Sequence, residues 1–152
     1  MEKYSHGPFE VTGYRVTVPT LEQEEEIIMG AWWLWMIENM GEWIVQKSYP
    51  TLHAVYYNYQ NPLDLTRKGY DMLIGYITEA GSIQDPKYTT IQIPTQDYQY
   101  TTVTGKLPDR LIDTWMEIND TPEDKLPRTY GYDLDMYNAD NTEVTVAVSV
   151  KE

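Results

Sequence analysis

One extended run, one helical run and two further extended runs follow one another twice along this chain, and that repeated order limits the folds open to it. In the first pass, residues 9–18 alternate with Val16 and Val18 on one face, and Pro19 removes the backbone donor needed to prolong a ladder. Thr20 is placed to cap a helix whose start carries Glu22, Glu24, Glu25 and Glu26, suited to the positive end of the helix dipole. Ile27, Ile28, Ala31, Trp32, Leu34, Trp35 and Met36 then recur at three- and four-residue spacing, with Trp33 off the main stripe and a stop expected at Gly41. Residues 53–59 and 70–77 are rich in strand formers, joined by a long hairpin loop from Asn61 to Gly69.

The second pass begins with extended runs over 88–93 and 98–104, interrupted at Pro94. Pro108 opens a helix through Leu111, Ile112, Trp115, Met116 and Ile118. Two more extended runs follow, 129–137 and 143–150, joined by a turn over 138–141; Val144, Val146, Val148 and Val150 alternate cleanly. Half-size sheets bury too little alone, so the expected architecture is α+β. It is a single domain over 1–152 with pseudo-repeats at about 9–80 and 87–152 and a boundary near Gly81 to Pro86. The halves join edge to edge into one antiparallel sheet with two helices on one face, the other face left available, and a central ligand cleft between the halves.

Charge and residue inventory exclude several functions. With 24 acidic against 11 basic residues the formal charge is -13, which repels phosphate backbones and anionic lipids, so direct nucleic-acid or membrane partners are not expected. The absence of cysteine excludes disulfides, thiol nucleophiles and Cys-ligated metals. The N-terminal residues lack the pattern of a secretory signal, and a cytoplasmic location is expected. His6, in an expected flexible end, and His53 are the only histidines, too few for a metal site. No glycine spacing matches a phosphate or dinucleotide loop, and Ser5, Ser48, Ser82 and Ser149 lack a nucleophile context, so no cofactor and no catalytic residue is expected.

The aromatic inventory points elsewhere: 14 Tyr and 5 Trp stand beside a single Phe. Rings with polar tips need partners when buried, so some are expected to face a cavity or solvent. Trp32, Trp35 and Trp115 have the spacing of helix-on-sheet packing, whereas Trp33 and Trp43 are harder to place. Strand alternation puts Asp133, Asp135 and Tyr137 on one face and Tyr132, Leu134 and Met136 on the other. Two readings stay open. On a solvated face the aspartates discourage edge pairing; in a cleft, a desolvated carboxylate among tyrosines calls for a cation.

Leu134-Asp135-Met136-Tyr137 before a valine-rich strand resembles the Phe-Glu-x-Tyr signature of the GyrI-like effector-binding domains, found with AraC- and MerR-type regulators and alone. Leu34-Trp35, Tyr56 to Tyr59, Tyr70 to Gly75, Ile93-Pro94, Tyr98 to Gly105 and Trp115 follow the same pattern in order, and the likeness is greatest to integron-associated effector-binding proteins of mobile gene cassettes. The resemblance implies two SHS2-like units and a cleft for amphipathic, commonly cationic, drug-like ligands. It places the family's acidic pocket residue on Asp135, one methylene shorter than glutamate, with Asp133 able to substitute. Tyr56, Tyr70, Tyr98, Tyr137, Trp33 and Trp35 become candidates for the walls. With both repeats filling the chain and no DNA-binding domain expected, the implied role is a sensor or sequestering protein that reports to a separate transcription regulator. The alternatives are a protein-interaction module acting on gyrase or a regulator, and a small-molecule hydrolase using Asp135 with a tyrosine.

Overall fold

The computed structural model describes residues 2–37, 51–60, 69–79, 88–105, 109–138 and 142–151. Eight strands, β1 (Glu2–His6), β2 (Phe9–Val18), β3 (Leu52–Tyr57), β4 (Tyr70–Thr78), β5 (Thr89–Ile93), β6 (Gln96–Thr104), β7 (Asp133–Tyr137) and β8 (Glu143–Val150), form one antiparallel sheet in the order β1-β6-β8-β7-β3-β4-β2-β5. Helices α1 (Glu24–Ile37) and α2 (Asp109–Asp120) complete the α+β architecture. The expected stop at Gly41, most of the loop after Asn61, the Gly81 to Pro86 boundary, Pro108, most of the 138–141 turn and Trp43 lie outside the described residues.

A single 3-10 turn, Leu21–Gln23, precedes α1, so the acidic run does sit at the helix start. Thr20 does not cap it through its side chain: the hydroxyl donates to Gln23 Oε1 at 3.1 Å, while Gln23 N–H bonds the Thr20 carbonyl. Two extended segments differ from the sequence expectation. Residues 2–6 are a strand rather than a loose end, because β6 supplies their partners, Tyr4 opposite Tyr98 and His6 opposite Gln96. The run 129–137 becomes a strand only at Asp133, since Tyr130 adopts φ +54 and turns the chain out of the ladder.

β1 and β2 together run alongside β5 and β6 in one continuous register, from Glu2 opposite Tyr100 through His6 opposite Gln96 to Phe9 opposite Ile93 and Gly13 opposite Thr89. The bend falls at Gly7, where φ is +113 and an added Cβ would lie 2.8 Å from the Pro94 carbonyl oxygen, a place only glycine fills without displacement. This bent ladder joins the two ends of the strand order and curls the sheet. One core cluster accordingly draws on every strand: Tyr4, Phe9, Val11, Val55, Tyr57, Leu73, Ile77, Ile91, Ile93, Tyr98, Tyr100, Leu134, Met136 and Ala147. The face expected to be available is therefore filled by the sheet closing on itself.

Both helices cover the opposite, outer face. Val144, Val146, Val148 and Val150 of β8, alternating with inward Ala147, pack with Val103 against Leu111 and Ile118 of α2. Met72 and Ile74 of β4 pack against Ala31 and Trp35 of α1, with Trp32 and Ile28 at the margin. Each fully buried valine, leucine or isoleucine contributes on the order of 1.5 to 3 kcal/mol, so period-two alternation in the strands fixes which face each helix takes.

Candidate functional site

β3 and β7 pair at the middle of the sheet, with Ala54 opposite Asp135 and Tyr56 opposite Asp133. On their outer face lie Tyr56, Asp133, Asp135 and Tyr137, and each helix sends a tryptophan to the strand of the other chain segment: Trp32 of α1 meets Tyr137 edge-on at 5.3 Å, and Trp115 of α2 meets Tyr56 at 5.4 Å. Period-two geometry therefore places two carboxylates and an aromatic group between the elements that bear the helices.

Asp135 is fully buried. Its carboxylate accepts the Tyr56 hydroxyl at 2.7 Å and the Trp115 indole N–H at 2.9 Å, both neutral donors. Burial pushes its pKa up to about 7, against those two hydrogen bonds, and Asp133 adds to the upward push. Tyr56, Tyr70 and Tyr137 are all held above the usual phenol range, first by burial and then by nearby carboxylates, so they stay neutral, Tyr56 and Tyr70 as hydrogen-bond donors and all three as ring surfaces. Tyr70 donates to Glu24 Oε2 at the head of α1, 2.9 Å away, and its ring meets those of Tyr56 and Tyr59 at 5.8 and 5.7 Å.

Asp133, equally buried, has a different set of partners. It accepts Arg128 Nη2 at 2.8 Å, the Tyr59 hydroxyl at 2.6 Å, and the Ser149 backbone N–H and hydroxyl at 2.8 and 3.0 Å. Its charge is thus matched inside the protein by a guanidinium that is itself buried. Arg128 in turn lies 4.4 Å from the Tyr130 ring centroid, 5.9 Å from that of Tyr59 and 6.0 Å from that of Trp115.

Of the eight residues singled out in the sequence, Asp133, Asp135, Tyr56, Tyr70 and Tyr137 come together here. The other three lie elsewhere. Tyr98 is fully buried in the inward cluster, on the opposite face, because the even residues of β6 point inward. Trp35 is buried between α1 and β4, its ring 6.0 Å from Tyr76. Trp33 is 63% exposed on the outer side of α1. Sequence reasoning missed Arg128, Tyr130 and the Ser149 contacts; the only local hint is a basic residue five positions before Asp133 in a Pro- and Tyr-rich stretch.

Residues 6–150 match the family model of the integron-associated effector binding protein, Cass2. With the fold above, that match defines the molecule as an effector-binding domain of α+β architecture. The chain belongs to the Cass2 family of integron-associated effector binding proteins. Among solved structures it is similar to an integron cassette protein from the mobile metagenome of Vibrio cholerae, with 22% identity, TM-score 0.68, and coverage of 99% of this chain and 95% of that one. It is also similar to SAV2435 in its complex with tetraphenylphosphonium, with 12% identity, TM-score 0.76, and coverage of 99% and 93%. The EcmrR C-terminal domain aligns with 13% identity, TM-score 0.54, and coverage of 99% and 96%. No curated protein matches the sequence. Effector-binding membership supports a small-molecule binding role, and among the described residues no helix is long and apolar enough to cross a membrane.

Proposed function

We propose that this protein binds an amphipathic, aromatic organic cation in a cleft over the β3·β7 pairing, lined by Tyr56, Tyr70, Tyr137, Trp32 and Trp115, with Asp135 as the counter-charge. The carrying observation is that Asp135 is fully buried and, among the described residues, is held by neutral donors alone. A buried carboxylate without a cationic partner is costly when ionised, and a ligand cation seated among aromatic rings offsets that cost. The tetraphenylphosphonium complex of a protein of this fold supports the same ligand class.

In this reading the chain segments before and after residues 80–87 act as paired strand–helix–strand–strand units, and the cleft is their junction. The protein is a binder rather than an enzyme, serving in the cytoplasm as a sensor or sequestering module linked to transcription regulation through a separate regulator. A second reading, a protein-interaction module, draws on Met29 and Trp33 of α1 and Ile112 and Met116 of α2, all exposed. Its partner would dock on the outer sides of the helices.

Tetraphenylphosphonium and tetraphenylborate, matched in shape and opposite in charge, test the ligand class by tryptophan fluorescence titration at pH 8. Saturable binding of the cation alone, weakened at least tenfold in Asp135→Asn, is the expected result. Equal binding of both ions, or an unchanged affinity in the variant, removes Asp135 from the role; binding of neither leaves the protein-interaction reading.

A further inference from the structure

Asp133 and Asp135 occupy the same face of one strand two residues apart, so their carboxylates stand roughly 7 Å from one another along β7. Both are fully buried, and one aromatic shell serves both: Trp115 donates its indole N–H to Asp135 while its ring lies 6.0 Å from the Arg128 guanidinium bound to Asp133. Tyr59 and Tyr56, each hydrogen-bonded to one of the two carboxylates, both pack on Tyr70. Both positions combine a buried carboxylate with a phenol donor and aromatic faces; Asp133 differs in accepting two further donors from Ser149 and in already holding a cation.

That cation comes from the chain itself. Arg128 is anchored outside the cage by its Nη1 bond to Asn119 Oδ1 of α2, 2.9 Å, and by the bridge its backbone makes to Val150, while its Nε is buried with no hydrogen-bond partner among the described residues. A guanidinium that leaves one donor unmatched is held by the carboxylate and the ring faces rather than by a full hydrogen-bond set. We propose that Arg128 is a tethered guest filling one of two adjacent cation subsites, so that the cleft accepts a single positive charge beside Asp135 and refuses a second beside Asp133. The inference rests on the reading of Asp135 given above and adds to it a rule for ligand charge number. With Arg128 in place the pair of subsites offers one net negative charge; without it, two.

The test compares benzyltrimethylammonium with 1,4-bis(trimethylammoniomethyl)benzene, which carries two quaternary nitrogens across one ring, by calorimetric titration of the full chain at pH 8 and fixed ionic strength. The parent is expected to bind the dication no more than threefold tighter than the monocation. Arg128→Met is expected to shift that ratio at least tenfold toward the dication, and Arg128→Met with Asp133→Asn to return it to the parental value. A parental preference for the dication of tenfold or more overturns the proposal without any variant, so poor folding of Arg128→Met does not shelter it. An unmoved ratio in a folded Arg128→Met also overturns it. If the parent binds tetraphenylphosphonium and the ratio stays fixed, the Arg128 assignment alone fails; if it binds no cation at all, the reading of Asp135 fails and takes this one with it.

Discussion

His53 and Asp135 stand on neighbouring strands and face opposite sides of one sheet, each buried and each driven away from its ordinary ionisation. Burial lowers the imidazole to about 4, opposed by its bond to the Thr51 carbonyl, and raises the carboxyl to about 7. From about pH 4 to 7 the folded protein keeps the Asp135 proton that the unfolded chain has released, so stability falls as pH rises. From about pH 4 to 6.5 the unfolded chain binds a proton that folded His53 refuses, so stability rises with pH. Each effect is on the order of 3 to 4 kcal/mol, and they oppose each other. Urea unfolding across this range is expected to show a shallow dependence in the parent, a rise with pH in Asp135→Asn, and a fall in His53→Gln. A steep parental profile would contradict the opposition.

Because an ionised Asp135 is a burden on the folded chain without ligand, Asp135→Asn is expected to raise stability above pH 7.5 by about 2 to 4 kcal/mol while abolishing cation selectivity. Thermal unfolding of the two proteins at pH 8, each with and without tetraphenylphosphonium, checks both halves of that statement.

Tyr56→Phe keeps the ring and removes one of the two hydrogen bonds to Asp135. A hydrogen bond to a charged group is worth roughly 1.5 to 3 kcal/mol, so the carboxyl should titrate about one to two pH units higher. Cation affinity is expected to climb about tenfold per pH unit below the parental midpoint and then level off, with the levelling point displaced upward in the variant. Coincident profiles for parent and variant would show that the Tyr56 hydroxyl does not support the ionised form.

The tryptophans divide by position. Trp33, on the outer side of α1, is expected to be replaceable by Ala with less than a twofold change in cation affinity, whereas Trp32→Ala, which takes away the ring against Tyr137, should weaken binding about five- to thirtyfold at roughly 1 to 2 kcal/mol per cation–π contact. Titration of the two variants side by side decides between them.

Leu134 lies in the cluster to which all eight strands contribute, so Leu134→Ala is expected to cost about 2 to 5 kcal/mol, against less than about 0.5 for Ile112→Ala on the exposed side of α2. Equilibrium urea unfolding measures both.

Much of this arrangement was legible residue by residue. The valines of β8 announce their own face, and the same two-residue period sets Asp133, Asp135 and Tyr137 side by side before any partner is known. What escaped was non-local. β1 is a strand because β6, ninety or more residues away, completes it, and no periodicity in five residues reveals that. Tyr98 has the composition of a wall residue, yet the curl of the sheet decides that even positions of β6 point inward. The Thr129 to Tyr132 stretch looks extended until Tyr130 takes a left-handed turn, and it is this turn that leaves Arg128 on the bridge to Val150 and its head beside Asp133.

The bent ladder also settles what can be grafted elsewhere. β1 belongs by sequence to the first segment but by pairing to the second, and β5 the reverse, so a fusion that begins at Phe9, or one that borrows only residues 88–151, leaves β6 with one side bare. A portable version of this binding domain starts no later than Glu2 and carries both segments together.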